Sequence, residues 1–173
     1  MKWPRRKFLR SSMIAAGTLA ASAGLWLSLS GSRRAWLLRM ILADLPRRVP
    51  AAPKRPTPAL WDEKKITLAW LGHATVLINF HGLRILTDPV FFNHIGVGLG
   101  LGTFGPKRHV RCALTAPEVP PVDLLILSHA HLDHFDFVSL RSVKGNPQVV
   151  TAAETGELLD GMPSQPPKEL RWG

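Results

Sequence analysis

The chain is 173 residues long and 46% hydrophobic, with one cysteine and a formal net charge of +10; that length suits one domain with a sizeable core, or a tail joined to part of a larger one. Cys112, standing alone, excludes an intrachain disulfide and a cysteine-rich zinc ribbon. The charge is uneven: Met1 to Leu60 holds 12 Lys/Arg against one acid and Trp61 to Gly173 holds 10 against 11, which argues against a nucleic-acid surface on the folded part.

The chain opens with a basic head and then carries no charge from Ser11 to Ser32. As a helix those residues would reach about 33 Å, enough to cross the hydrocarbon core of a bilayer. Arg5-Arg6-Lys7-Phe8-Leu9-Arg10 resembles the twin-arginine export signal, an arginine pair and Phe-Leu ahead of a moderately apolar helix. An ordinary membrane anchor with a basic flank is the plainer alternative. Ala21-Ser22-Ala23 has the form of a cleavage site but sits early, so both a cleaved signal and an uncleaved anchor stay open. Residues 1–32 are therefore read as signal or anchor, leading to the periplasm or cell envelope, with anchorage in the inner membrane if uncleaved. Residues 33–60 form a basic linker, with prolines at 46, 50, 53, 56 and 58 that favour an extended spacer. The domain boundary is placed near Leu60, with the folded domain running from 61 to 173.

Beyond it the pattern turns to short β-rich runs: ITLAWLG, TVLINFHG and LRILTDP, with Phe80-His81-Gly82-Leu83 as a hairpin turn. A glycine-rich loop spans Gly96 to Gly105. VDLLIL is continuously apolar, the pattern of a strand buried on both faces. Helical FDFVSLRSV, strand PQVVTA, helix ETGELLDGM and strand ELRWG follow. Strands alternating with helices predict an α/β fold with sheet layers covered by helices, and a polar cluster at the end of a central strand is where such folds place their sites.

That cluster is Ser128 to Asp136, SHAHLDHFD. His129 and His131 lie two apart, so on an extended segment both imidazoles face one way. Asp133 and His134 follow where the chain turns into a helix, outlining a second site beside the first. Imidazole with carboxylate suits Zn²⁺, with Fe or Mn as alternatives. Histidines at a polar helix start without a metal are the bland reading, weakened by their density here.

His-Ala-His-Leu-Asp-His resembles the HxHxDH signature of the metallo-β-lactamase superfamily. Trp70-Leu71-Gly72-His73-Ala74-Thr75, Leu86-Thr87-Asp88-Pro89, Gly105-Pro106-Lys107-Arg108 and Pro120-Pro121-Val122-Asp123 resemble, in order, the branch containing N-acylphosphatidylethanolamine-hydrolysing phospholipase D and bacterial ascorbate-phosphate lactonases. The resemblance implies the N-terminal half of an αββα sandwich and, in a complete homologue, two Zn²⁺ ions. His129 and His131 would hold the first and Asp133 and His134 the second, with Asp133 also steering the attacking water. Asp88 would buttress the metal loop through hydrogen bonds to the ligands. His73 would lie near the site or be a satisfied core histidine. Lys107 and Arg108 would contact a phosphate or be solvated loop charges.

The implied activity is hydrolysis of a phosphodiester or related ester by metal-bound hydroxide, on a membrane lipid or another phosphodiester. No histidine follows His134, so the family's later histidine, bridging aspartate and final histidine find no counterpart. The expectation is a truncated, under-ligated hydrolase whose first sheet has an open edge and an uncovered apolar face. The alternative is a membrane-anchored, non-catalytic metal-binding or interaction protein.

Overall fold

The computed structural model describes residues 31–44, 46–98 and 103–171. The chain forms two compact units, Met1–Pro46 and Arg47–Gly173. The expected signal or anchor of residues 1–32 lies, except for Gly31 and Ser32, outside the described residues. Among the described residues no helix is long and apolar enough to cross a membrane. In the first unit, helix α1 spans Gly31–Asp44, where strong helix formers run without proline until Pro46 ends them.

In the second unit the proline-rich segment packs on the domain instead of standing off as a spacer. The Arg47 guanidinium donates to the carbonyls of Arg108, at 2.7 Å, and Lys107. Arg111 donates from its backbone to Pro50 O and from Nε to Val49 O, and Val49 is buried. Proline holds this stretch extended, and extended backbone offers the carbonyls that the 108–111 segment takes up.

The centre of the unit is a six-stranded mixed sheet, ordered β1-β2-β3-β6-β7-β8. β1 (Ile66–Gly72), β2 (Thr75–Phe80) and β3 (Leu83–Thr87) form an antiparallel meander, with Phe80 facing Leu83 across the expected turn. β6 (Leu124–Ile126), β7 (Gln148–Ala152) and β8 (Lys168–Leu170) then add in parallel. Within the glycine-rich loop, β4 (Val97–Gly98) and β5 (Thr103–Phe104) pair as a small antiparallel ribbon, and residues 99–102 lie outside the described residues.

Side chains alternate across the pleat. Leu71, Leu77, Leu86, Leu125, Leu127 and Val149 point to one face, where they form a single core with Phe135, Leu140, Val143 and Leu159. The opposite face, aligned by the strand register, carries Ile66, Leu68 and Trp70 on β1, Ile78 and Phe80 on β2, Leu83 and Ile85 on β3, and Ile126 on β6. Leu68 and Trp70 are 67% and 68% exposed. VDLLIL is therefore buried on one face only: Leu125 and Leu127 are inside and Ile126 is exposed. Its continuous apolarity marks a second surface that nothing among the described residues of this unit covers.

Helix α2 is short, Phe137–Arg141, and begins at Asp136, whose carboxylate accepts from the Val138 and Ser139 N–H groups. The helix expected over ETGELLDGM is instead a 3₁₀ turn, Gly156–Leu159. Glu154 has φ +67°, and the Glu169 carboxylate, reaching from β8, accepts the N–H groups of Glu154 at 3.1 Å and Gly156 at 2.7 Å. A partner from another strand thus fixes a turn where local sequence suggested a helix. Those two backbone N–H groups hold the Glu169 carboxyl below its ordinary range.

Candidate metal centre

The site lies where parallel β3 and β6 end side by side. Asp88 follows β3 directly with φ +33°, a left-handed conformation that non-glycine residues adopt only when their surroundings hold them. Its N–H donates to Ile126 O at 3.0 Å, and buried Thr75 donates from its hydroxyl to Asp88 O at 2.7 Å. The carboxylate, itself buried, is thereby aimed across the strand ends at Ser128.

Ser128 meets Asp88 twice, from its N–H to Oδ1 at 2.8 Å and from its hydroxyl to Oδ2 at 2.6 Å. Because that hydroxyl gives its one proton to Asp88, it accepts from His129 Nδ1 at 2.9 Å. His134 Nδ1 donates to Asp88 Oδ2 at 2.8 Å. With both Nδ1 atoms carrying the proton, the Nε2 lone pairs of His129 and His134 face outward, ready for a cation.

The metal loop is folded on itself by bonds from His134 N and Phe135 N to His131 O. Phe135, almost fully buried, pins it to the core. His129 Nε2 lies 3.1 Å from His131 Nδ1. Asp133 Oδ2 lies 3.5 Å from His134 Nε2 and 3.1 Å from His73 Nε2. Burial pushes the Asp133 carboxyl up, but its own backbone N–H and the neighbouring His134 and His73 outweigh that, and it stays ionised below its ordinary range.

Two donor groups result, His129 with His131 and Asp133, and His73 with Asp133 and His134, with ligand atoms in each within 4.8 Å of one another. Imidazoles with an ionised carboxylate fit a divalent transition ion, and Asp133 belongs to both groups.

The structure thus brings His129, His131, Asp133, His134, Asp88 and His73 together. Lys107 and Arg108 are committed elsewhere. Lys107 Nζ donates to Arg47 O at 3.1 Å. Arg108 is only 5% exposed, and its Nη1 donates to Val90 O. Its guanidinium packs on Gly72, where an added Cβ would lie 2.6 Å from Nη2 and where φ is +119°. Burial draws the Arg108 pKa down, and its guanidinium lies under the turn before His73. Ser128 was passed over in the sequence because a serine carries no metal signature of its own; its place between a strand end and the first histidine was the available signal.

A family profile described as "Beta-lactamase superfamily domain" matches residues 67–165. The chain belongs to the metallo-β-lactamase superfamily. It is 33% identical, over 50% of its own length and 24% of the relative's, to N-acyl-phosphatidylethanolamine-hydrolyzing phospholipase D 1 of Caenorhabditis elegans. It is 41% identical, over 44% of its length and 15% of the relative's, to the mitochondrial N-acyl-phosphatidylethanolamine-hydrolyzing phospholipase D of Saccharomyces cerevisiae. An uncharacterized protein of Mycobacterium tuberculosis is 30% identical over 78% of this chain and 38% of its own. This superfamily member thus spans well under half the length of these curated relatives.

Proposed function

We propose that the protein is a metal-dependent hydrolase of phosphodiesters or related esters, with a phospholipase D-like cut on a lipid headgroup as its leading activity and zinc as its ion. What carries this reading is the convergence of His129, His131, Asp133 and His134 on one loop whose donor atoms are oriented by Asp88 and Ser128. The names of the Caenorhabditis and Saccharomyces relatives support the substrate class.

His129 and His131 would hold one ion, and Asp133 with His134 the other. A closely spaced pair of ions activates water near neutral pH and neutralises charge developing on the attacked group. Asp133, which belongs to both donor groups, would accept a hydrogen bond from the attacking water and orient it. Asp88, directly at His134 and through the Ser128 hydroxyl at His129, would hold the Nδ1 protons in place, keeping the Nε2 atoms as donors throughout. Export through the twin-arginine-like signal to the periplasm or cell envelope is proposed on the N-terminal sequence alone. Replacing Arg5 and Arg6 by lysine in a reporter fusion should abolish it; unchanged export would remove that assignment.

The test is metal analysis of the purified chain together with turnover of bis(p-nitrophenyl) phosphate and of N-acylphosphatidylethanolamine in mixed micelles. Metal-loaded protein should release product, and Asp133→Asn and chelation should each abolish release. Protein that takes up no metal would overturn the reading. The uncovered apolar face favours a second reading, an anchored metal-binding protein that docks a partner. Metal uptake without turnover would select it.

A further inference from the structure

We infer that His73 is a direct ligand of the second ion, giving that ion two imidazoles and a carboxylate from this chain; the inference rests on the metal-centre reading above. The sequence placed His73 only near the site, and HxHxDH does not include it.

The geometry is that of donors around one cation. With metal–ligand bonds of about 2.0–2.1 Å, neighbouring donors of a tetrahedral ion lie about 3.3 Å apart. Asp133 Oδ2 stands 3.1 Å from His73 Nε2 and 3.5 Å from His134 Nε2, so two imidazole nitrogens approach one carboxylate oxygen at ligand spacing. The same spacing recurs at the other pair, where His129 Nε2 and His131 Nδ1 are 3.1 Å apart. His134 has its proton on Nδ1, held by Asp88, so its Nε2 offers a lone pair towards the point that His73 also faces.

The backbone is built to hold His73 there. Its φ is +54°, a left-handed conformation uncommon for a residue with a Cβ. It follows Gly72, whose positive φ and missing Cβ admit the Arg108 guanidinium beneath the turn. Trp70 Nε1 donates to His73 O at 2.6 Å. The His73 ring meets that of His134 edge-on, with centroids 5.1 Å apart. A turn held by a buried arginine on one side and a tryptophan on the other presents an imidazole to a carboxylate 60 residues away in sequence.

The experiment titrates Co²⁺ into the metal-free 173-residue chain against a chelator, recording affinity and visible absorption for each equivalent. His73→Asn suits the left-handed backbone. It should delete, or weaken by more than about 100-fold, the same equivalent that His134→Asn removes, and change its absorption bands. It should leave intact the equivalent that His131→Asn removes. A loss confined to about 10–100-fold with unchanged bands is what a residue that only orients a ligand produces, and it would overturn the inference, as would no loss.

Should His73→Asn not fold, the unaltered chain decides the matter. With nitrogen-labelled histidine and a spin-active cadmium isotope, coupling between the ion and His73 Nε2 should appear. Coupling to His129, His131 and His134 alone would overturn the ligand role while leaving the metal centre standing. No metal uptake by the unaltered chain would bring down both.

Discussion

The two faces of the sheet are made of the same kinds of residue and live in different surroundings. On one, Leu71, Leu77, Leu86 and Val149 are sealed under helix α2 and the loops. On the other, Ile66, Leu68, Trp70, Phe80 and Leu83 meet solvent. Apolar content alone therefore does not say where stability resides, because the hydrophobic contribution follows area removed from water. The metal loop belongs energetically to the sealed face. Phe135 roots it in the core, while Asp88 and Ser128 tie it to the strand ends.

Four substitutions sharpen that contrast. Leu86→Ala, in the sealed core, should lower unfolding free energy by about 2–5 kcal/mol, read by urea denaturation followed by circular dichroism. A loss no greater than that of an exposed-face variant would erase the distinction between the faces. Asp88→Asn removes the charge that three donors from Ser128 and His134 share at the junction of core and site. Metal affinity should fall about 10–100-fold, measured by chelator competition, and an unchanged affinity would show that Asp88 does not orient the ligands.

Asp136→Ala strips the helix cap just after the metal loop and should destabilise the domain by about 1 kcal/mol. Its thermal midpoint should drop while donor identity is kept. Smallest is Leu68→Thr on the open face, expected within about 0.5 kcal/mol of the parent. Its visible effect should be reduced self-association in light scattering, since large exposed apolar patches promote it. Increased scattering would mean that the face is not what makes the chain sticky.

What the sequence showed best was whatever neighbours in the chain decide. The meander was legible in the alternation of ITLAWLG and TVLINF and in His81-Gly82 at the turn, where both residues take positive φ. The metal loop was legible because its four donors lie within six residues. Contacts between distant residues were not. Glu169, on a distant strand, accepts the N–H groups of Glu154 and Gly156 and so fixes where the Gly156–Leu159 turn opens. Arg47 binds the carbonyls of 107 and 108, so the segment after Pro46 reads as a spacer and behaves as a strap. Arg108 looks like a surface cation until the Gly72 turn closes over it. His73 acquires its meaning only when β1 and β2 carry it to Asp133.

The pairing of Asp88 with Ser128 also has a kinetic consequence. Residues 66–87 fold back on themselves through short turns, and such local contacts form early. The parallel pairing of β3 with β6 must wait for the chain between Asp88 and Ser128, 40 residues apart in sequence, to lose the entropy of closing that crossover. Until it does, the Ser128 hydroxyl and the His134 Nδ1–H lack the Asp88 carboxylate that orients them, and the ligand set is not yet fixed. Metal capture is therefore tied to a late event in folding, and an ion that binds stabilises the slow crossover along with its own ligands.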